Sequence, residues 1–327
     1  MLYAKKYLTV RKETPFLIQL KRKERKKLLT EIWKSRYLYI LILPVMAWLI
    51  IFHYRPLYGI VLAFKKYNAQ RGILGSEWVG LKNFARIFIT PEAISAMKNT
   101  FVISFGRLVL EFPAPIILAL LITEMPGKRI KSVYQTILTF SHFLSWIVIA
   151  AVLQNFLSGN GAVNSWIASM GGERINFLSD KSLFRPMLYL TSNWKEMGWS
   201  AIIYMASIAG IDASLYDAAK IDGASRLRQI WHVTLPSIRP TIAILFILQV
   251  GSCMNAGFDQ IFTLRNPVVS SVGQILDTYV YDISFLSGKI DYGFSTAVGL
   301  FKSVINMVLL VAANKFTSVL TGDKMFG

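Results

Sequence analysis

The chain has 327 residues, of which 54% are apolar and only 17% are charged, a composition that excludes an ordinary soluble domain and predicts a protein dissolved mainly in a bilayer. Its net charge is +18, from 36 Lys and Arg residues against 18 Asp and Glu residues. Cys253 is the single cysteine, which excludes an intramolecular disulfide and a cysteine-ligated metal cluster.

Residues 1–35 form a basic segment. Twelve Lys and Arg residues precede Tyr37, and the run from Lys21 to Lys27 lies directly before the first apolar stretch. Such a cluster beside a membrane span favours the cytoplasmic side, where it also contacts anionic lipid head groups. The alternative, a nucleic-acid site, is disfavoured by this placement, and we expect no nucleic acid partner.

Six apolar stretches have the roughly 20-residue length that a membrane-spanning helix needs. They cover about residues 36–52, 100–123, 133–156, 187–210, 241–264 and 292–315, and the first can extend toward Phe64. The sequence therefore predicts an all-α polytopic membrane protein with a transmembrane domain at 36–320 and a tail at 321–327. An even number of spans places both termini in the cytoplasm of a bacterial cell.

Away from Arg36 and Lys315 at their ends, these stretches contain six charged residues with a formal charge of zero in total: Arg107, Glu111, Lys195, Glu196, Asp259 and Lys302. Charges at membrane depth face the protein interior, a partner or a wet cavity. Arg107 and Glu111 stand four residues apart, on one face of a helix, which predicts a structural ion pair.

A polar segment at 211–237 separates the fourth and fifth stretches. It contains Asp217-Ala218-Ala219, then Gly223 after three residues, and Val233-Thr234-Leu235-Pro236 after nine more. The spacing resembles the cytoplasmic EAA loop of binding-protein-dependent ABC importers, with Asp217 in place of Glu and Val233 in place of Ile. A solvated connector helix is the alternative that the matching Gly and Leu-Pro offsets disfavour.

This resemblance implies a type I ABC importer permease, in which the loop folds as a short helix that plugs into a separate ATP-hydrolysing subunit. The predicted ATPase-coupling residues are Asp217, Ala218, Ala219, Asp222, Gly223, Leu235 and Pro236. The implied partners are a second, similar permease, an ATPase dimer that binds ATP and Mg, and an extracytoplasmic binding protein. No cofactor is expected in this chain.

Further motifs resemble the maltose-type permeases: Phe64 and Tyr67, the run Val79 to Phe84, and Asn99-Thr100. The runs Trp194 to Trp199 and Asn255 to Ile261 look like the branch associated with oligosaccharides from polysaccharide breakdown. The resemblance implies a carbohydrate cargo. The alternative is an ABC importer of the same architecture that carries an amino acid, a peptide or phosphate.

Sugar sites combine polar side chains with aromatic rings that cover one face of the sugar. The predicted substrate pathway consists of Asn193, Trp194, Glu196, Gly198, Asn255, Asp259, Gln260 and Lys302. The same residues could instead join helices through hydrogen bonds. Lys195 and Lys302 could bind an acidic sugar, or could pair with Glu196 and Asp259.

The sequence contains neither a phosphate-binding Gly-x-x-x-x-Gly-Lys-Ser/Thr loop nor a His-Glu-x-x-His zinc pattern. We therefore predict no catalytic residues, no metal site and no ATP hydrolysis by this chain itself. An intramembrane enzyme or an ATPase-independent channel remains a more distant alternative, which the EAA-like loop disfavours.

Overall fold

A computed structural model describes residues 30, 31, 33–286 and 291–321. Most of the predicted basic segment and the tail at 322–327 lie outside the described residues. The chain divides into two compact units, residues 1–60 and 61–327.

The described part of the first unit is one continuous apolar helix. α1 runs over Arg36–Leu49, continues as a π-helical turn at Ile50–Tyr54 and then as a 3-10 segment at Arg55–Phe64. No residue of Arg36–Tyr54 is buried. A helix that is apolar all round needs lipid or protein around it. The helix continues past the predicted end at residue 52 and ends at Phe64, which is the longer of the two predicted extents of the first span.

The second unit is almost entirely helical. The one sheet among its described residues is a two-stranded antiparallel ladder of β1 (Lys65–Lys66) and β2 (Glu77–Trp78), in which Lys65 pairs with Trp78. The helices are α2 (Gly72–Gly75), α3 (Lys82–Ile89), α4 (Pro91–Glu111), α5 (Pro113–Glu124), α6 (Lys128–Phe140), α7 (Trp146–Leu157), α8 (Ala162–Ser169), α9 (Lys181–Ala209), α10 (Ala213–Ile221), α11 (Arg226–Gln229), α12 (Leu235–Ser237), α13 (Arg239–Gly251), α14 (Phe258–Leu264), α15 (Ser270–Gly273), α16 (Leu276–Tyr281) and α17 (Tyr292–Thr321). Short 3-10 turns lie at Ser141–Phe143, Cys253–Asn255 and Pro267–Val269, and π-helical turns at Ile230–Thr234 and Asp282–Leu286.

Four helical segments of the described chain are long and apolar enough to cross a membrane: Arg36–Phe64, Pro91–Glu124, Trp146–Ser169 and Tyr292–Val319. Two bent pairs raise the number to six if each pair is one span. The axes of Lys181–Ala209 and Ala213–Ile221 differ by 71°, and those of Arg226–Ser237 and Arg239–Gly251 by 63°. Both bends flank the polar segment at 211–237.

The predicted third and fifth spans are wrong as continuous helices. The stretch at 133–156 breaks after Phe140 into a 3-10 turn, and α7 begins only at Trp146, capped by Ser145. The stretch at 241–264 breaks after Gly251, and Ala256 and Gly257 have φ angles of +41° and +82°. Irregular backbone at membrane depth is tolerated only where protein covers it or where it lines a wet cavity.

The core of the second unit forms around α9. Ala201 and Tyr204 of α9 are buried with Ala119 of α5 and with Ile238. Toward the start of α9, Phe184 and Leu188 are buried in a separate cluster with Ile103, Ile261 and Ile275. Small residues such as Ala119 and Ala201 let membrane helices approach closely, as α5 and α9 do here.

Candidate functional site

The polar segment at 211–237 begins with a capped helix. The Asp212 side chain accepts a hydrogen bond of 2.9 Å from the backbone N–H of Ser214, which satisfies a free N–H of the first turn of α10. This bond lowers the pKa of the Asp212 carboxyl below its ordinary value, because it stabilises the ionised form. The cap fixes where α10 begins after the bend that follows α9.

A left-handed turn ends α10. Gly223 has φ +71°, and its N–H donates to the carbonyl of Lys220 over 3.0 Å. The N–H of Ala224 reaches back to the carbonyl of Ala219 over 2.9 Å. Glycine adopts this conformation without steric cost, which makes it the usual residue after a helix end of this kind.

The predicted coupling residues lie on an accessible surface. Asp217, Ala218, Asp222, Gly223 and Pro236 are exposed, and Ala219 and Leu235 are half-buried. Asp217 is paired with Lys220 of the same helix over 3.0 Å.

The same segment exposes large apolar side chains, which the motif did not predict. Leu215, Ile221, Leu227 and Trp231 are 49%, 87%, 70% and 66% exposed. Several large exposed apolar side chains on an otherwise polar segment are typical of a protein contact. The signal that could have found it is the presence of Trp and large aliphatic residues within a polar loop.

Two contacts hold this segment in place, one within it and one to the end of α5. The Tyr216 hydroxyl and the Thr234 hydroxyl form a hydrogen bond of 2.9 Å between α10 and the π-helical turn before α12. Arg226 of α11 contacts Glu124 at the end of α5 over 3.1 Å. A displacement of α10 can therefore reach both the α5 end and the start of α13.

Three predicted pathway residues, Asn255, Asp259 and Lys302, share a cavity of about 600 Å³, here called the Lys302 cavity. Residues at the break in the fifth span form one wall of this cavity. Irregular backbone at membrane depth is tolerated where it lines such a cavity. The other lining residues are Trp146, Gly257, Phe258, Asp277, Val280, Tyr281 and Phe285. Aromatic rings beside amide and carboxylate groups suit a sugar, whose ring faces are apolar and whose edges carry hydroxyls.

Two others, Asn193 and Glu196, line a second cavity of about 300 Å³, here called the Glu196 cavity. Its wall also includes Glu111, Trp199, Tyr204 and Gln249. The predicted pathway is thus divided between two cavities, which sequence position alone did not reveal.

Three predicted pathway residues line neither cavity. Trp194 is 47% exposed, and its carbonyl accepts a hydrogen bond from the Ser141 hydroxyl. Gln260 is buried and donates to the Leu188 carbonyl over 3.0 Å. Gly198 is a packing position, because a Cβ there would overlap the backbone carbonyl of Leu138.

Lys195 and Lys302 both have carboxylate partners, but Lys302 does not pair with Asp259. Lys195 Nζ lies 3.0 Å from Glu196, whereas Lys302 Nζ lies 2.5 and 2.6 Å from the two oxygens of Asp277. The pairing with Asp259 is wrong because Asp277, in the long segment after the fifth span, folds back onto α17.

Lys195 also stabilises the break in the third span. Its ammonium donates to the carbonyl of His142 over 2.7 Å, and His142 Nδ1 lies 2.7 Å from Glu196. The Ser141 hydroxyl lies 3.0 and 3.2 Å from the carbonyls of Trp194 and Lys195. The polar groups at the break are thus satisfied by α9, as burial at this depth requires.

Arg107 and Glu111 lie 3.6 Å apart, within a larger buried network. Arg107 Nη1 donates to Ser192 over 2.8 Å, and Nη2 donates to Gln260. The guanidinium also packs against Gly257, where any Cβ would overlap it. The network ties α4 to α9 and to the break in the fifth span.

Replacing Gly198 with valine should destabilise the protein by about 3 kcal/mol, the upper end of the usual cost of overpacking, because the contact is with backbone. The expected result is a lower thermal midpoint of the purified protein in nanodiscs. Gly299→Ala is the matched control, because a Cβ at that position of α17 meets nothing within 4 Å. An unchanged midpoint for Gly198→Val would contradict the close approach of α6 and α9.

Among the described residues, no group of three or more His, Cys, Asp or Glu side chains is placed to hold a metal ion.

Comparison with known proteins agrees with this architecture. Residues 112–318, more than half of the chain, match the family described as "Binding-protein-dependent transport system inner membrane component". The chain belongs to this family. It is a multi-pass transport subunit of the membrane, and the predicted permease fold and the resemblance are confirmed.

Individual relatives extend the match to nearly the whole length. The polygalacturonan/rhamnogalacturonan transport system permease protein YteP of Bacillus subtilis (strain 168) is 43% identical over 90% of this chain and 92% of its own. The protein LplB of the same strain is 40% identical with the same coverage.

A solved structure matches this permease in three dimensions. A chain of a bacterial ABC transporter involved in the import of the acidic polysaccharide alginate superposes with a TM-score of 0.83 and 34% identity, over 90% of this chain and 99% of that one. The same transporter type has been solved in complex with an alginate pentasaccharide-bound periplasmic protein, again with a TM-score of 0.83.

Proposed function

We propose that this permease is the membrane subunit of an ATP-driven importer that translocates an oligosaccharide delivered by an extracytoplasmic binding protein. The observation that carries the proposal is the Lys302 cavity, where aromatic rings and polar groups meet at a break in a span. The substrates in the names of the relatives, polygalacturonan, rhamnogalacturonan and alginate, support a saccharide cargo.

The proposed complex contains a second, similar permease and two ATPase subunits that bind ATP and Mg. The amino and carboxyl termini and the segment at 211–237 lie in the cytoplasm. The exposed apolar side chains of this segment support that assignment, because Ile221 and Trp231 would be covered by the ATPase.

In this mechanism, ATP binding closes the ATPase dimer and moves α10. The Tyr216–Thr234 contact carries the movement to the turn before α12, and the Arg226–Glu124 contact carries it to the end of α5. Asp217, Ala218, Ala219 and Gly223 contact the ATPase. The cavities then open alternately to the two sides of the membrane, since packed helices move as rigid bodies between discrete arrangements.

The sugar contacts are assigned by chemistry. In the Lys302 cavity, Phe258 and Tyr281 cover an apolar face of the sugar ring, while Asn255 and Asp259 bind its hydroxyls. Asn193 and Glu196 bind the cargo on its way through the Glu196 cavity.

The proposal is tested by reconstituting the importer with its ATPase subunits in nanodiscs and adding the binding protein in sugar-free and oligosaccharide-loaded forms. We expect the loaded form to raise the rate of ATP hydrolysis several-fold, because coupling requires cargo delivery. Amino acids, peptides and phosphate serve as alternative cargoes. Stimulation by one of these, with none by any oligosaccharide, would refute the carbohydrate assignment.

A further inference from the structure

The Lys302 cavity presents no unpaired positive charge. Its one cationic side chain, Lys302, is buried and held by both oxygens of Asp277 at 2.5 and 2.6 Å. Asp259 lies on the same wall, is exposed to the cavity, and forms no ion pair with a described residue. Two carboxylates therefore face one ammonium group, and Asp259 contributes a net negative charge.

The Glu196 cavity presents carboxylates, but no cation, at its surface. Its charged lining residues are Glu111 and Glu196, whereas their cationic partners Arg107 and Lys195 do not line it. The cations lie behind the carboxylates, where their donors are engaged by Ser192, Gln260 and the His142 carbonyl.

A third cavity, of about 530 Å³, lies on the opposite face of the helical segment that bounds the Lys302 cavity. Its charged lining residues are Glu92, Arg265 and Asp282, and Arg265 is paired with Asp282 over 2.8 Å. Carboxylates again outnumber cations. Among the side chains that line these three cavities carboxylates outnumber cations, although the overall net charge of the chain is +18.

We infer that this chain selects an uncharged oligosaccharide over one that carries uronate groups, and that Asp259 is a specificity-determining residue. The inference rests on the proposed function and names the substrate class of the same site. A carboxylate such as Asp259 accepts hydrogen bonds from sugar hydroxyls.

A uronate would face a different lining. Its carboxylate would have to displace Asp277 from Lys302 or lie beside Asp259, and like charges brought together disfavour binding. Although the names of two similar proteins refer to polygalacturonan and to the acidic polysaccharide alginate, the charges of this chain favour a neutral cargo.

The test compares matched saccharides on the complete importer in nanodiscs, without the binding protein, so that only the membrane site selects. Each pair consists of a uronate tetrasaccharide, from galacturonate or glucuronate, and the same tetrasaccharide with its carboxylates reduced to hydroxymethyl groups. Binding is measured by calorimetry. We expect the neutral member of a pair to bind at least about tenfold more tightly.

Two variants change the charge of the cavity. Asp259→Asn should reduce the preference for the neutral sugar, because it removes the unpaired negative charge. Asp277→Asn should shift the preference toward the uronate by about tenfold, because it frees the Lys302 ammonium. Both are read as a ratio of two affinities on one sample, so partial loss of folded protein cancels. Glu173→Gln is the matched control, since this exposed residue lines none of the three cavities.

The outcomes separate the two proposals. Equal or tighter binding of the uronate by the unchanged importer would overturn the inference and leave the oligosaccharide function intact. A preference unmoved by Asp277→Asn would also overturn it. Binding of no saccharide, charged or neutral, would count against the carbohydrate function itself.

Discussion

Replacing Gly223 with valine is expected to uncouple ATP hydrolysis from uptake, lowering sugar transport by about tenfold or more while the protein still inserts in the membrane. Gly223 has φ +71°, a conformation that a β-branched residue adopts only with strain of about 1–3 kcal/mol. The turn after α10 would open and shift the helix that is proposed to contact the ATPase. Uptake into proteoliposomes and ATP hydrolysis are measured on the same preparation.

A matched variant separates backbone strain from side-chain bulk. A Cβ at Gly223 meets nothing within 4 Å in this chain, so a side chain has room there. Asparagine tolerates the left-handed conformation far better than valine does. Gly223→Asn should therefore retain most of the transport, and full transport by Gly223→Val would show that the turn does not carry the coupling.

The EAA-like spacing predicted a short helix in the polar segment before the fifth span, because its signals are local. The cap at Asp212 and the glycine after the helix depend on neighbouring residues only. The apolar surface of Ile221, Leu227 and Trp231 was not predicted, since it depends on which side chains the tertiary fold leaves uncovered.

The apolar stretches predicted six spans, of which the described residues show four, or six if each bent pair is one span, but they did not predict the breaks. Residues 141–145 and 252–257 mix polar with apolar side chains, as the interiors of membrane helices also do, so hydropathy alone does not show that the helix stops there. The stop depends on distant partners, such as Lys195, which donates to the His142 carbonyl, and Arg107, which packs against Gly257. Hydrogen bonds of this kind join residues far apart in sequence, and a local pattern does not reveal them.

The pathway residues illustrate the same limit. Spacing placed Asn255, Asp259 and Lys302 in adjacent spans, and they do share a cavity. Spacing could not place Asp277, which comes from a segment outside the predicted spans. Asp277, and not Asp259, pairs with the ammonium of Lys302. The charge of the cavity, and with it the inferred cargo, follows from this one contact.

The second large effect is expected at Arg107. Arg107→Met should destabilise the protein by about 3–5 kcal/mol, because it leaves Glu111 as a half-buried charge without its cation and removes the donors to Ser192 and Gln260. The measurement is the thermal midpoint of the purified complex in nanodiscs, with sugar uptake recorded in parallel.

The double variant Arg107→Met/Glu111→Met decides whether the pair serves mainly to neutralise itself. Replacing both members of a buried ion pair by apolar residues of similar size is often neutral or stabilising, whereas breaking it from one side is costly. We therefore expect the double variant to recover most of the midpoint that Arg107→Met loses. Because Glu111 also lines the Glu196 cavity, recovery of stability without recovery of uptake would assign Glu111 to the pathway as well. A double variant no more stable than Arg107→Met would mean that the donors to Ser192 and Gln260, rather than the charge of Glu111, hold α4 against α9 and the break in the fifth span.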